Sequence, residues 1–342
     1  MGVKQARSAY APVVAYGPAV ALCTITDPGI TESSGLVASS LQSDVLFTHN
    51  DSGDTARFFA IGTDCGTRAV YELPGVKARD WEDLARGPGA VLWLGDIGDN
   101  RGRRTTVTVV RVAEPVVAAT NTRPLALAST SFALTYPDGP HNAETLLADR
   151  VDGRLYVLTK NVGGSDALYA APLPLLASAV NRLAKLDSVT FPGLFGSLTT
   201  GGDISPDGTR LVVRTYENAC ELAIPAAPGS GPRLAGVFAH GLGTPIALAA
   251  ERQGEAIAFS RDGRSLLTTS EGTGQPLYQL PLAVPSVRPT PSPASPSQAR
   301  TGVPARSARV VLSAWVAWSA GSAAAVGAMA LAWLLRRRLR RT

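Results

Sequence analysis

The sequence predicts an all-β fold, a five-bladed β-propeller, followed by one C-terminal transmembrane helix. Three observations predict it: a strand-pair pattern that recurs five times, a turn-rich composition with 34 Gly and 25 Pro in 342 residues, and a charge-free apolar stretch that runs into an arginine cluster. A chain of this length holds one large domain or two ordinary ones. Abundant turn residues between short apolar runs favour strands over helices.

Each repeat opens with an acid at the start of a short apolar strand, passes through a turn, and continues into a second strand with a polar end. The copies are Glu32-SSGLVASS with DVLFTHNDSGD, Asp80-Trp81-Glu82-DLARG with AVLWLGDIGDN, HNAETLLAD (Glu144) with GRLYVLTKN, GGDISPDG (Asp203) with TRLVVRTYEN, and GEAIAFSRDG (Glu255) with RSLLTTSEG. The leading acids are 50, 62, 59 and 52 residues apart. Two further strands follow within each unit, among them RFFAIG and RAVYELPG, TVTVVRVAEP and SFALTYPDG, DALYAAPLP and LDSVTFPG, and CELAIP. Four strands over roughly 50 residues match one propeller blade. The fifth unit stops one strand short after QPLYQLPL, while ALCTITDP before Glu32 is a strand to spare, so residues 20–28 are expected to close the last blade. Six blades stay open if a long unit merges two sets of strands.

Ser205-Pro206-Asp207-Gly208 and Ser260-Arg261-Asp262-Gly263, each just ahead of an apolar strand, resemble the S-P-D-G turns of bacterial WD40-like and TolB-like propellers. The wider pattern over 22–283 (ESSGL, THNDSGD, DWEDLA, GDIGDN, NAETLL, GEAIAF) is similar to secreted bacterial propellers of uncharacterised function. The resemblance implies a fold and no activity.

An antiparallel meander brings the start of strand one and the end of strand two to the same face. Glu32, Glu82, Glu144, Asp203 and Glu255 are therefore expected to ring the upper mouth of the central tunnel as metal ligands. Asp51, Asp96, Asp99, Glu217 and Glu271, at strand-two ends, are expected beside them as ligand-binding groups, near Asn161. Carboxylates crowded around a narrow mouth repel unless protonated, solvated or neutralised, and oxygen-only donors suit Ca²⁺ or Mg²⁺. The same acids would serve equally as caps on backbone N–H groups between blades, and Lys160 and Arg214 would neutralise the ring without metal. The segments 49–54 and 95–100 are dense in acids and Gly, as Asx turns and ion loops both are. Neither has the spacing of an EF-hand loop.

No GxSxG, Walker A or HExxH signature is present. Of the three histidines, His49 and His141 fall on the upper face, where either has the position of a general base. Trp81 is expected to pack between blades. On the blade map Cys23 and Cys65 meet at the lower face, where a disulfide would fasten the closure and restrict the unfolded chain by about 2–4 kcal/mol. Cys220 falls on the opposite face.

The net charge of +5 is misleading as a whole, because nine arginines and no acid follow residue 287. Residues 1–287 carry 23 basic and 27 acidic side chains, a balance that gives no basic face for nucleic acid. The 26 residues Val310–Leu335 span about 39 Å as a helix, enough for a hydrocarbon core of ~30 Å. Trp315, Trp318 and Trp333 lie near its ends, and residues 336–342 hold the arginines that stay cytoplasmic, so the propeller is expected outside a cell membrane it crosses once. Residues 285–309, with PTPSPASPSQ, form an extended stalk. Residues 1–21 resemble a weak signal peptide with cleavage after Ala21, leaving 22–284 as the propeller.

The leading functional expectation is a surface-displayed module binding an extracellular ligand or protein, with Ca²⁺ at the tunnel mouth. A metal-dependent hydrolase is the first alternative. This chain resembles phytase-like, lactonase-like and apyrase-like propellers only in its blade-start acids, so no catalytic residue is transferred. A structural envelope platform is the second alternative.

Overall fold

The structure, a computed structural model, describes residues 15–118, 121–192, 198–225 and 231–283. The expected stalk, span, basic tail and first 14 residues lie outside the described residues. Among the described residues no helix is long and apolar enough to cross a membrane.

Five antiparallel four-stranded units form the propeller. The chain opens with β1 (Val20–Thr24). Blade 1 follows as β2 (Ser33–Ala38), β3 (Val45–Asn50), β4 (Arg57–Gly62) and β5 (Thr67–Glu72). Blade 2 is β6 (Asp83–Gly87), β7 (Val91–Asp96), β8 (Val107–Ala113) and β10 (Ser129–Thr135), and blade 3 is β11 (Ala143–Ala148), β12 (Leu155–Thr159), β13 (Asp166–Ala170) and β15 (Ala184–Val189). Blade 4 is β16 (Thr199–Ile204), β17 (Arg210–Thr215), β18 (Ala219–Ala223) and β19 (Thr244–Ile246). Blade 5 is β20 (Gly254–Phe259), β21 (Ser265–Ser270) and β22 (Pro276–Pro281), completed by β1 pairing antiparallel to β22. The count of five and closure by the N-terminal strand agree with the repeat. Two short strands escape it: β9 (Asn121–Ala126) adds parallel to β5, and β14 (Val180–Arg182) parallel to β10, each widening a blade at its outer edge.

Period-two alternation explains how blades stack. Side chains on successive strand residues point to opposite faces, so Leu155 and Val157 of β12 join the apolar layer against blade 2 while Tyr156 and Leu158 join the layer against blade 4. Likewise Val91 and Trp93 of β7 face blade 3, and Leu92 and Leu94 face blade 1. Five such layers exist, one at each blade junction, including the closing one between blades 5 and 1. Trp81 lies in the layer between blades 1 and 2, as expected.

The two S-x-D-G turns use one chemistry. Gly208 N–H donates to Ser205 O and Gly263 N–H to Ser260 O, both at 2.8 Å. The glycines take φ of 70° and 68°, a region costly for residues with a Cβ. In each turn the Ser hydroxyl reaches the Asp carboxylate and accepts a backbone N–H five residues on. At the closing junction Cys23 and Cys65 form the expected disulfide, with Cα atoms 5.8 Å apart, while Cys220 is a buried free thiol.

Candidate functional site

The innermost strands β2, β6, β11, β16 and β20 begin at the upper mouth, and a shared distortion sets what they present there. In four of them one residue is left out of the ladder with strand two: Ser34, Glu144, Thr200 and Glu255. In blade 2 Glu82 occupies the same place, donating its N–H to Gly95 O. A bulge of this kind re-aims one side chain. The five equivalent positions are thus three glutamates and two hydroxyls.

This register takes two of the five expected ring acids off the equivalent positions. Glu32 lies two residues before the blade 1 position, bridged to Glu271 across the junction with blade 5. Asp203 lies three residues past the blade 4 position. There its carboxylate accepts the N–H groups of Ile204 and of Phe259 in blade 5, and is paired with Arg150 at 2.5 Å. It locks two blades together away from the mouth. The hydroxyl positions also lock blades, Ser34 Oγ donating to Glu82 O and Thr200 Oγ1 to Gly254 O.

The other expected ligand groups divide. Asp96 and Asp99 are both committed to Arg104: Asp96 Oδ1 accepts Arg104 Nη1–H at 2.8 Å and also the Asp80 N–H, while Asp99 Oδ2 accepts the Arg104 N–H. The 95–100 loop is therefore a guanidinium-centred turn. Glu217 is exposed in the turn after β17. Asp51 and Glu271 do join the mouth.

What assembles there is a dense acidic group. Ligand oxygens of Asp51, Asp80 and Glu82 lie within 4.8 Å of one another, on residues only 3%, 5% and 2% exposed. Glu144, Glu255 and Glu271 continue the group, with Lys160 paired to Glu144 and donating to Tyr216 Oη at 2.6 Å. Burial opposes the charge on Lys160, but Glu144, Glu255 and Glu82 outweigh it and hold the ammonium above its ordinary pKa. Burial, reinforced by Glu271, pushes Glu255 well above the usual carboxylate range. Arg214 is engaged elsewhere, fully buried against Glu251 at 2.8 Å.

Asp80 was not among the expected ligands. In an extended chain residues i and i+2 share a face; in the Asp80-Trp81-Glu82 segment the two acids turn to the mouth while Trp81 packs in the blade layer. Gly98 covers this pair closely. A Cβ built on Gly98 would overlap Glu82 Oε1 and sit 2.6 Å from Asp80 Oδ2, so only glycine leaves both carboxylates in place.

Neither histidine joins the acids. His49 is fully buried beside Trp81, with Nδ1 on Asn50 O at 2.8 Å, and burial lowers its pKa and keeps it neutral. His141 pairs with Asp138 at 2.9 Å where blade 2 leads into blade 3, next to Tyr169.

Asp166, at the start of β13, supports Lys160's strand from below. Its Oδ1 accepts the Asn161 N–H, and its Oδ2 lies 3.0 Å from Thr199 Oγ1. That hydroxyl donates to Asp166 Oδ2 and toward Thr159 O at 2.8 Å. Burial outweighs these hydrogen bonds and raises the Asp166 pKa to about 8. Between the unfolded-chain value near ~3.9 and about 8, the unfolded state releases this proton while the folded state keeps it, so stability from this group falls as pH rises through that window. Asp166→Asn copies the protonated form. Thermal melts should find the variant equal to wild type near about pH 4 and clearly more stable at about pH 8–9; matching profiles at both pH values would show an ionised Asp166.

No protein-family model matches the chain, and no curated protein matches it in sequence. Solved structures similar to it include the WD40 repeats of RRP9 (9% identity, 79% of this chain and 100% of that one, TM-score 0.41) and the glutaminyl cyclase of Myxococcus xanthus (10%, 80% and 100%, 0.44). A structure provisionally assigned as a gluconolactonase is similar at 15% identity over 78% of this chain and 92% of that one, with a TM-score of 0.40. Likeness at this level carries no information about activity.

Proposed function

We propose that this protein is a binding module that holds a calcium-type divalent cation at its upper mouth and captures an oxygen-rich or anionic ligand on the cation's open positions. The observation that carries this reading is the Asp51–Asp80–Glu82 cluster. Oxygens sharing one Ca²⁺ at about 2.4 Å stand at most ~4.8 Å apart, and the oxygens of these three carboxylates lie within that limit. The donors are all oxygen, as a hard cation requires, and Gly98 leaves the pair Asp80–Glu82 room to converge. The cell-membrane anchor at 310–335, with the propeller outside, belongs to the same proposal. It rests on the charge-free stretch and the arginines after it.

Titrating the full-length protein in detergent with Ca²⁺ after EDTA tests the reading. At a hundredfold excess over Kd a bound ion adds about 2.7 kcal/mol, which for a domain of this size raises Tm by roughly 5–10 °C. Asp80→Asn and Glu82→Gln should each weaken binding at least tenfold. A wild-type protein that melts identically in Ca²⁺ and EDTA would sink the proposal. If the ion binds, a phosphoester and lactone screen separates a hydrolase from a binding module.

A further inference from the structure

At the lower side of the propeller two guanidiniums, Arg86 and Arg261, line one cleft. Burying a guanidinium costs several kcal/mol unless it is paired, and this protein pairs its other buried and half-buried arginines: Arg104 with Asp96, Arg150 with Asp203, Arg210 with Glu221, Arg214 with Glu251 and Arg233 with Asp149. Arg86, at the lower end of β6, departs from this pattern. It is 7% exposed, and among the described residues its side chain has no hydrogen bond and no ion pair.

A second guanidinium, Arg150 in the turn after β11 and paired with Asp203, lies close enough for the two charges to interact. Arg150 Nη1 is itself buried without a hydrogen-bond partner, its other nitrogens being taken by Asp203 and Ile204 O. Burial and the Arg86 charge both press the Arg150 pKa down, to about 10, with Asp203 opposing them.

A cleft of about 550 Å³ opens beside Arg86 at the junction of blades 1 and 5. Arg261 lines it too, its Nε–H held by Ser40 O at 3.1 Å, and the Ser43 and Thr63 hydroxyls add neutral donors. The acid on this lining, Asp262, is committed to its own turn, accepting from Ser260 Oγ and the Arg264 N–H. Two guanidiniums and two hydroxyls around a cleft, with the Arg86 guanidinium free of protein partners among the described residues, form a receptor for an oxyanion.

We propose that this lower cleft is an anion-binding site, taking a small molecule that presents a phosphate or carboxylate group to Arg86, with Arg261 closing over it. The site is independent of the cation cluster, which lies at the other end of the tunnel.

The test uses the full-length protein in EDTA, at constant ionic strength, with chloride exchanged for inorganic phosphate or for citrate. Saturable binding by calorimetry and a higher Tm than in chloride are expected for at least one of the two, and which one responds identifies the oxyanion. Arg86→Gln should weaken binding at least tenfold. Arg261→Gln, at an exposed position that does not endanger folding, should weaken binding severalfold. Wild-type protein that responds to phosphate and citrate no more than to chloride would overturn the proposal, as would unchanged affinity in the Arg261→Gln protein.

Discussion

Lys160→Met is expected to destabilise the propeller by about 3–5 kcal/mol at neutral pH, the range seen when one partner of a buried ion pair is removed. The ammonium is 8% exposed and paired with Glu144, and it sits among the charges of Glu255 and Glu82. Without it, Glu255, already pushed up by burial, loses the cation that opposes that shift, which favours its protonated form further. Two rescues follow from that account. Lowering the pH should recover much of the lost stability, because the folded variant then binds protons more tightly than the unfolded chain. Adding Ca²⁺ should raise the Tm of Lys160→Met by more than it raises the wild type, the ion replacing the missing charge. Denaturant melts at two pH values, with and without Ca²⁺, check both. A variant within about 1 kcal/mol of wild type would mean the mouth is far better solvated than its burial indicates.

A chain starting at Leu22, the product of cleavage after Ala21, is expected to lose on the order of 4 kcal/mol relative to the full chain, at about 1 kcal/mol for each net hydrogen bond removed. The closing strand begins earlier than that cleavage point. Gly17 N–H donates to Pro281 O at 2.7 Å, Ala283 N–H donates to Ala15 O at 2.8 Å, and Val20 and Ala21 pair with Gln279 and Tyr278. Tyr16 Oη donates to Glu221, beside Arg210 Nη1 at 3.1 Å, and its ring packs on the layer between blades 4 and 5. The Cys23–Cys65 bridge survives the truncation and still ties the remaining strand to blade 1. Comparing urea midpoints of the two proteins measures the effect. Equal midpoints would assign residues 15–21 no share in closing the ring.

The fold was legible because its signals are local and repeated. A strand pair with an S-x-D-G turn announces itself within a dozen residues, and Cys23 and Cys65 could be matched once the closing strand was assigned to blade 5. The outer strands β9 and β14 were not legible. Asn121–Ala126 contains Pro124, and Val180–Arg182 has only three residues; both form by parallel addition to an edge that sequence periodicity does not describe.

The site was half legible, for a reason of register. Aligning blades by their leading acids brought Glu82, Glu144 and Glu255 to equivalent positions but not Glu32 and Asp203, because a one-residue bulge sets which residue is equivalent and its position is not written in the type of acid. The commitments of the remaining acids depend on partners distant in the chain: Asp96 meets Arg104, Asp203 meets Arg150 and the Phe259 N–H, and Asp80 converges on Asp51 from another blade. The sequence by itself determined the strand-pair repeat, the strand that closes it, and the expectation of five blades, of a Cys23–Cys65 bridge and of acids at one mouth, since each follows from short-range pattern and composition; the structure decided for five blades over six. Only the tertiary structure decided which carboxylates are neutralised and which converge, and left Arg86 facing a cleft at the other end. Electrostatic balance is a property of groups brought together in space.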